Sequence, residues 1–459
     1  MNKYIIVGII LVVLVALLAT NKKLVESLKN IFKIEELRSR ILFTLGLLLI
    51  YRLGSFVTLP GVDHAVLEQW TQNFASDSSS LMGLLNIFSG GAFSQASIFA
   101  LGVMPYITAS IIIQLLGIMV PYFRKMQREG ESGRRTMNQW TRFLTIAVLL
   151  LQAPAYLATQ VVASGAVAVN GDFLGITNGA FIVPAVIILI AGTMFIMWLG
   201  EKITDKGIGN GISLIIMIGI VARLPQSFLQ ELMFQTTGGG SIIMLLVELV
   251  FLALVFMLAI AIVQAVRRIP VQYAKRVVGN KMYGGQNTHI PIKVNMSGVM
   301  PIIFASSILM LPTMILGFMN TSQQASSFGK VLQLFSVQGI FYAVVYFAMI
   351  IGFAYFYATI QFNPVEMTNN LRKNGGAIPG IRPGKPTSDF ISKILSRITL
   401  MGAIFLSVIA ILPIVIGNVG KINISLGGTS LLIMVGVALD TVRNLESQMM
   451  MRHYKGFLD

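Results

Sequence analysis

The chain has 459 residues, 55% of them hydrophobic and only 11% charged, with a mean hydropathy of +0.79. That balance excludes a soluble domain: repeated apolar runs of about 20 residues, each able to cross about 30 Å of hydrocarbon, mark a polytopic helical membrane protein. The absence of cysteine excludes disulfides, thiolate catalysis and sulfur-based zinc sites, and the net charge of +16 implies nucleic acid, anionic lipid or an acidic partner, depending on where the basic residues lie.

Residues 4–19 form an apolar run behind Lys3. A signal-peptide core is one reading, but the ALLAT ending is a poor small-x-small cleavage site; an extra membrane helix is the other. Lys22, Lys23, Lys29, Lys33, Arg38 and Arg40 follow it and would place its amino end outside. Residues 24–40 alternate charge with apolar positions at helical spacing, which predicts an amphipathic helix on the cytoplasmic membrane surface. A span is expected over 41–59, ending at Pro60-Gly61. No Lys or Arg occurs from Leu53 to Phe123, while Asp63, Glu68 and Asp77 do, so the loop there is external.

Residues 81–121, LMGLLNIFSGGAFSQASIFALGVMPYITASIIIQLLGIMVP, break the pattern of an ordinary span. A short apolar piece meets Ser89-Gly90-Gly91 and the polar Ser94, Gln95 and Ser97; a helix-like run follows from Ile98 with Pro105 in its middle. Lipid cannot satisfy free backbone N–H and C=O groups, so a break at membrane depth is buried in protein or lines a water-filled path. A re-entrant loop that merely packs is equally open. Arg124, Lys125, Arg128, Arg134, Arg135 and Arg142 crowd the next loop, which is therefore cytoplasmic.

Further spans are expected over 141–159, 181–199, 208–221, 242–266, 294–316, 340–359, 394–416 and 428–442. External loops carry few cations (Arg223, Lys330, Lys421), whereas the internal ones hold most of the rest. The pattern predicts an all-α fold of about ten spans with both ends cytoplasmic, beside the extra amino-terminal segment 1–23. The spans divide into inverted five-helix halves, 24–223 and 241–459, joined by an external loop over 224–240. Inverted halves place a pathway at their interface.

Catalytic chemistry is sparse. Glu248 and Asp440 are the main ionisable residues inside spans, and Glu248 is weak support for an ion-coupled carrier. His64, His289 and His453 fall in loops or tails. Gly207-Ile-Gly-Asn-Gly211 lacks a preceding strand and the phosphate-loop lysine, so it reads as a tight turn before a helix. No metal, cofactor or enzymatic constellation is predicted. The loops 267–293 and 363–393 alternate basic residues with apolar, Pro and Gly positions, which predicts structured, projecting tips. Their charge exceeds what orientation needs and suits a large acidic partner, ribosomal RNA among them.

At these residues the chain resembles the SecY family of bacterial protein-conducting channels, from about Ile34 to the carboxyl end. The motifs are FSGGAFSQASIFALGVMPYITASIIIQLL from Phe88, EGESGRR from Glu129, GTMFIMWLGEKITDKGIGNGIS from Gly192, YAKR from Tyr273, THIPIKVNMSGVMP from Thr288, PGIRPG from Pro379 and GGTSLLI from Gly427. The run over 4–19 departs from the family pattern. The resemblance implies a channel that moves unfolded secretory polypeptides across the cytoplasmic membrane and releases signal sequences and membrane segments sideways. It implies a plug over 81–97, with Asn86, Phe88, Ser89, Gly90, Gly91 and Phe93, and a pore ring of Val103, Ile107, Ile212, Ile216, Ile303 and Ile433. Thr108, Ser110 and Gln114 fall on the gate-side helix. Arg267, Arg268, Lys275, Arg276 and Arg382 become docking residues for the SecA motor ATPase or a translating ribosome. SecE and SecG are the implied small subunits, and anionic lipids the implied surroundings. A secondary transporter for a small solute is the competing reading, resting on inverted halves and Glu248.

Overall fold

Glu35 and Glu36 sit in the first turn of α1 (Glu35–Gly54), where acidic groups complement the helix dipole, and Arg40 pairs with Glu36 at 3.1 Å one turn on. That start is the first element of a computed structural model, which describes residues 34–67, 69, 86, 89–162, 164–167, 178–237, 242–273, 276–278, 281–283, 287–318, 329, 331–332, 334–335, 340–420 and 428–455. The expected extra helix over 4–19 lies outside the described residues. The expected boundary between a surface helix ending at Arg40 and a span starting at Ile41 does not exist: α1 runs through it without a break and stops at Gly54, five residues early. Residues 55–63 are irregular instead.

Two compact units divide the chain. The first takes the described residues up to Gly240 and, again, those from Val437. It holds α1, α2 (Met104–Met119), α3 (Pro121–Arg128), α4 (Glu131–Tyr156), α5 (Asn178–Lys206) and α6 (Gly211–Thr237). Here α2 packs on α4, α4 on α5, and α1 on α5 and α6. Val120 is extended and Pro121 opens α3, so α2 and α3 meet at a 101° bend. Pro121 suits the first turn of a helix and cannot continue the previous one. The Arg124 guanidinium donates to the Ile118 carbonyl, covering an orphan acceptor at the corner. Pro154 lies near the end of α4, and the helix widens into a π-helical turn over Leu157–Val162.

α6 differs most from expectation. Asn210 caps it, its Oδ1 accepting from the Ile212 and Ser213 N–H groups at 3.1 and 3.3 Å. The helix then runs to Thr237 through Pro225, so most of the stretch expected as an external loop over 224–240 is helical, and Arg223 belongs to the helix.

The second unit holds α7 (Ile242–Gln264), β1 (Val266–Tyr273), β2 (Arg276–Val278), β3 (Lys281–Tyr283), β4 (Asn287–Lys293), α8 (Met300–Phe318), α9 (Ile340–Gln361), α10 (Pro364–Lys373), β5 (Gly376–Ala377), α11 (Lys385–Gly420) and the first residues of α12 (Gly428–Lys455). α9 packs on α8 and α11. The helical body agrees with the expected all-α membrane fold, and the sheets belong to the loops. β1 pairs antiparallel with β4 along its length and with β5 only at Gln272 and Tyr273. Pro270, which has no N–H to offer, lies beyond the reach of β5. Ile269, Val271 and Ile292 of this sheet share a core with Leu371 of α10 and with Ile391 and Leu395 of α11. The two basic loops are thus one body. The expected span over 294–316 starts late, at Met300, with Pro301 in its first turn. The segment before it is irregular and buries Asn295 and Ser297.

By length and composition, six helices among the described residues can cross a membrane, or seven when α2 and α3 count as one bent span. Expected spans outside that set are α1, α8 and α12. α1 carries Glu35, Glu36, Arg38, Arg40 and Arg52, α12 carries Asp440, Arg443 and Glu446, and the apolar part of α8 described as such is Met300–Leu309.

A Cβ on Gly211 would collide with the Gly200 carbonyl oxygen, so the start of α6 rests directly on α5. Gly211→Ala should lower stability by about 1–3 kcal/mol, as overpacking does. Gly46→Ala on α1, where nothing lies within 4 Å of the added methyl, should raise it by about 0.5–1 kcal/mol. Thermal denaturation of the detergent-solubilised protein measures both.

Candidate functional site

The break in the 81–121 stretch is a run of turns, not a helix. Residues 89–103 form successive turns, and α2 begins only at Met104, so Pro105 occupies its first turn instead of the middle of a helix from Ile98. Turns leave backbone groups unpaired, and this segment satisfies them locally and from neighbouring helices. Asn86 and Ser89 begin the account. The Asn86 carbonyl accepts from the Gly91 N–H at 2.9 Å, and its side-chain Oδ1 accepts from Ser94 N–H at 3.2 Å. Ser89 Oγ accepts from Phe93 N–H at 3.0 Å.

Three donors reach in from helices. The Tyr156 hydroxyl at the end of α4 donates to the Phe93 carbonyl at 2.7 Å, and the Phe93 and Tyr156 rings pack with centroids 4.7 Å apart. Arg52 of α1 donates to the Gly90 carbonyl at 2.8 Å while its guanidinium lies 4.6 Å from the centre of the Phe56 ring. Tyr51, the residue before it, reaches the Ser89 carbonyl at a longer 3.4 Å. Further along, Leu59 N–H donates to the Ala96 carbonyl at 2.8 Å and Ile98 N–H to the Val57 carbonyl at 2.9 Å. Thr58 and Ser97 are bridge partners there. Phe93, Ala96, Ala100 and Leu101 join a core with Leu149, Tyr156 and Leu189.

Gly90 has φ +66°, and a Cβ on it would stand 2.8 Å from Gly219 Cα on α6. Both facts demand glycine. Ala96, with φ +45°, is the one non-glycine residue among those described in the left-handed region.

Of the residues expected at the plug, Asn86, Ser89, Gly90, Gly91 and Phe93 are all buried here, and Phe88 lies outside the described residues. Of those expected at the pore, Val103 is the residue before α2 and Ile107 lies in its first turn, 3% and 5% exposed. Ile216 on α6, Ile303 on α8 and Ile433 on α12 are buried as well. Ile212 is half-buried and lies against Gly200 of α5, its Cγ1 2.8 Å from where a Cβ there would stand. The gate-side polar residues bond within α2: Thr108 Oγ1 to the Met104 carbonyl at 3.2 Å, and Gln114 Nε2 to Ser110 Oγ at 3.2 Å. Arg267 and Arg268 are exposed on β1. Arg382 is exposed after β5, its carbonyl accepting from the Thr387 hydroxyl at 2.8 Å. Lys275 lies outside the described residues, and Arg276 opens β2.

Tyr51, Arg52 and Tyr156 carry no motif that sequence reasoning could read as functional. Their one signal is a polar group near the end of a span, facing a stretch rich in turns. Arg223, counted with the external loop, instead lies on α6, its Nε 3.6 Å from where a Cβ on Gly91 would stand.

A family model described as SecY matches residues 97–442. The protein translocase subunit SecY of Streptomyces galbus is 43% identical over 434 residues, covering 93% of this chain and 98% of that one. Two solved structures share the fold. One, described as showing that the plug domain of the SecY protein stabilises the closed state of the translocation channel and maintains a membrane seal, matches with a TM-score of 0.55 and 18% identity over 89% of this chain and 91% of that one. The other is Sec61 in the canine ribosome-channel complex from the endoplasmic reticulum, with a TM-score of 0.57, 16% identity and the same coverage of each chain.

Gly90→Ala places a side chain in the left-handed region and against Gly219, a cost of about 1–3 kcal/mol. Hydrogen exchange at the amides of Gly91, Phe93 and Ser94 should accelerate about tenfold or more, with the core helices unchanged.

Proposed function

The chain belongs to the SecY family, and on that premise we propose that it is the central subunit of a protein-conducting channel in the bacterial cytoplasmic membrane. It passes unfolded secretory polypeptides outward and releases signal sequences and membrane segments sideways into lipid. The observation that carries this reading is 43% identity to a named translocase subunit across 93% of the chain. The same relationship favours a channel over a solute carrier, and Glu248, the residue that suggested a carrier, lies half-buried on α7.

In the resting state Asn86 and the turns over 89–93 act as the stopper, supported by their burial and by the donors that hold them. Val103, Ile107, Ile212, Ile216, Ile303 and Ile433 line the polypeptide's path. Aliphatic side chains there wet poorly, which blocks ions, and offer a passing chain no hydrogen bonds, so diverse sequences slide through. Sideways release is then a partition decision. A Leu-like residue gains about 0.3–0.6 kcal/mol at the centre of a bilayer helix, whereas Asp, Lys or Arg costs about 2.5–3.5 kcal/mol. Thr108, Ser110 and Gln114 belong to the gate for that exit, and their resting hydrogen bonds within α2 keep them satisfied while it is shut.

Arg267, Arg268, Lys275, Arg276 and Arg382 belong to the docking surface for the SecA motor or a translating ribosome, which supplies the energy together with the membrane potential. The shared core of sheet, α10 and α11 supports this, because it gives exposed cations a rigid base. SecE and SecG accompany the chain, the carboxyl end is cytoplasmic, and anionic lipids meet the basic cytoplasmic faces.

Single cysteines at Val103, Ile216 and Ile303 in this cysteine-free chain should each crosslink to a stalled secretory polypeptide carrying a reactive probe, and a cysteine at exposed Leu254 should not. Crosslinking confined to Leu254 would remove the path. Arg382→Glu should cut motor-driven export about tenfold or more while the protein still inserts into the membrane; normal export kinetics by that variant would refute docking there.

A further inference from the structure

The stopper's two flanks are held by different kinds of bond. On its carboxyl side the chain is fastened by backbone to backbone: Leu59 N–H to the Ala96 carbonyl at 2.8 Å, Ile98 N–H to the Val57 carbonyl at 2.9 Å, with Thr58 and Ser97 bridged between them. On the other side, the ties from Ser89, Gly90 and Phe93 to the helices among the described residues are side-chain donors, Tyr51, Arg52 and Tyr156. A short ladder of main-chain bonds must break as a unit. Side-chain bonds to carbonyls can be exchanged one at a time for water.

Between these two regimes stands Ala96, fully buried and at φ +45°, a conformation that costs an L-residue about 1–2 kcal/mol. Strain at the junction favours any motion that lets this residue relax. The Phe93 ring against Tyr156 adds packing to the tether, and the Arg52 guanidinium has a ready alternative partner in the Phe56 ring at 4.6 Å. Gly91 is flanked by a second cation, Arg223, whose Nε lies 3.6 Å from the position of an added Cβ. Among the described residues neither arginine has a carboxylate within ion-pairing distance. Arg52 has the Gly90 carbonyl and the Phe56 ring as partners instead.

We infer that Tyr156 and Arg52 are positioning residues for the channel, a latch that holds residues 89–95 shut, and that Ala96 is the hinge about which this segment swings while 97–103 stays fixed. The inference rests on the reading of this segment as the stopper. Opening frees both the Phe93 and the Gly90 carbonyl, so the latch sets how readily a passing chain displaces the stopper. Arg52 keeps a partner in both states. Tyr156 does not, which makes its hydroxyl the stronger determinant of closure.

The test uses the channel reconstituted in vesicles with its small subunits, carrying Ser94→Cys as the one thiol. Alkylation of that thiol in the resting channel reports opening of the segment directly, independent of conduction. Tyr156→Phe removes the hydroxyl and keeps the ring against Phe93, so the fold is retained; labelling should rise about tenfold, the equivalent of one buried carbonyl left unpaired. Arg52→Gln should raise it as well, and Arg52→Lys, which retains a charged donor, should restore part of the protection. Ala96→Gly, which tolerates the left-handed conformation, should slow labelling about threefold or more. Unchanged labelling in both Tyr156→Phe and Arg52→Gln overturns the latch, and unchanged or faster labelling in Ala96→Gly overturns the hinge. Ion leak, measured on the same vesicles, separates this inference from the one beneath it. Faster labelling without added leak leaves the latch standing and removes the stopper. Leak on deleting 86–94, with labelling unchanged in the latch variants, leaves the stopper standing and removes the latch.

Discussion

A chain that abandons the helix inside a membrane-spanning fold must still pair its backbone N–H and C=O groups, and the first unit is built around that obligation. Residues 89–103 meet it with their own serine and asparagine side chains, with two tyrosines and an arginine from α1 and α4, and with a short ladder to residues 57–59. Phe93, Ala96, Ala100 and Leu101 then become core residues, surrounded by Leu149 and Leu189 of the flanking helices. The same requirement explains why glycine stands at position 90: the turn passes so close to Gly219 that only a residue without a side chain admits the backbone there. A segment satisfied in this way is ordered without being a helix. Each of the hydrogen bonds that hold it is worth about 0.5–1.5 kcal/mol net.

In the second unit the basic residues stand on a folded base. Ile269, Val271 and Ile292 point into a core completed by Leu371, Ile391 and Leu395, and strand alternation turns the neighbouring positions outward. Arg268 is exposed for that reason, and Arg382 follows the two-residue strand that closes the sheet. Cations on a body with its own apolar core are held in fixed positions. On a floppy linker the same charges would lose conformational entropy on binding, at about 1–2 kcal/mol for each backbone residue ordered.

Much of this was legible in the residues. The apolar runs marked where helices stand, the basic loops marked one side of the membrane, and Ser89-Gly90-Gly91 with Pro105 marked the break. Boundaries were read less well. Arg40 and Ile41 look like a border between surface and span, yet one helix crosses them, because the Glu36–Arg40 pair and the absence of a breaker let the hydrogen-bond ladder continue. Pro105 was expected to interrupt a helix and instead starts one, since the first turn has no use for the missing N–H. Residues 224–237 were expected within an external loop joining the two halves; instead the helix runs on through them and carries Pro225 within it.

Composition by itself determined that this chain is a helical membrane protein and, through its motifs, which family it resembles. These are local or additive properties: hydrophobicity sums along a run, and motifs are read residue by residue. Tertiary structure alone decided which carbonyls Tyr51, Arg52 and Tyr156 satisfy, that two loops about 100 residues apart share one sheet, and that Ala96 sits strained between a fastened flank and a tethered one. A hydrogen bond from Tyr156 to Phe93 joins residues 63 apart in the chain, and no periodicity encodes a partnership at that distance. It exists because packing brings a turn with unpaired groups against a helix end that carries a donor.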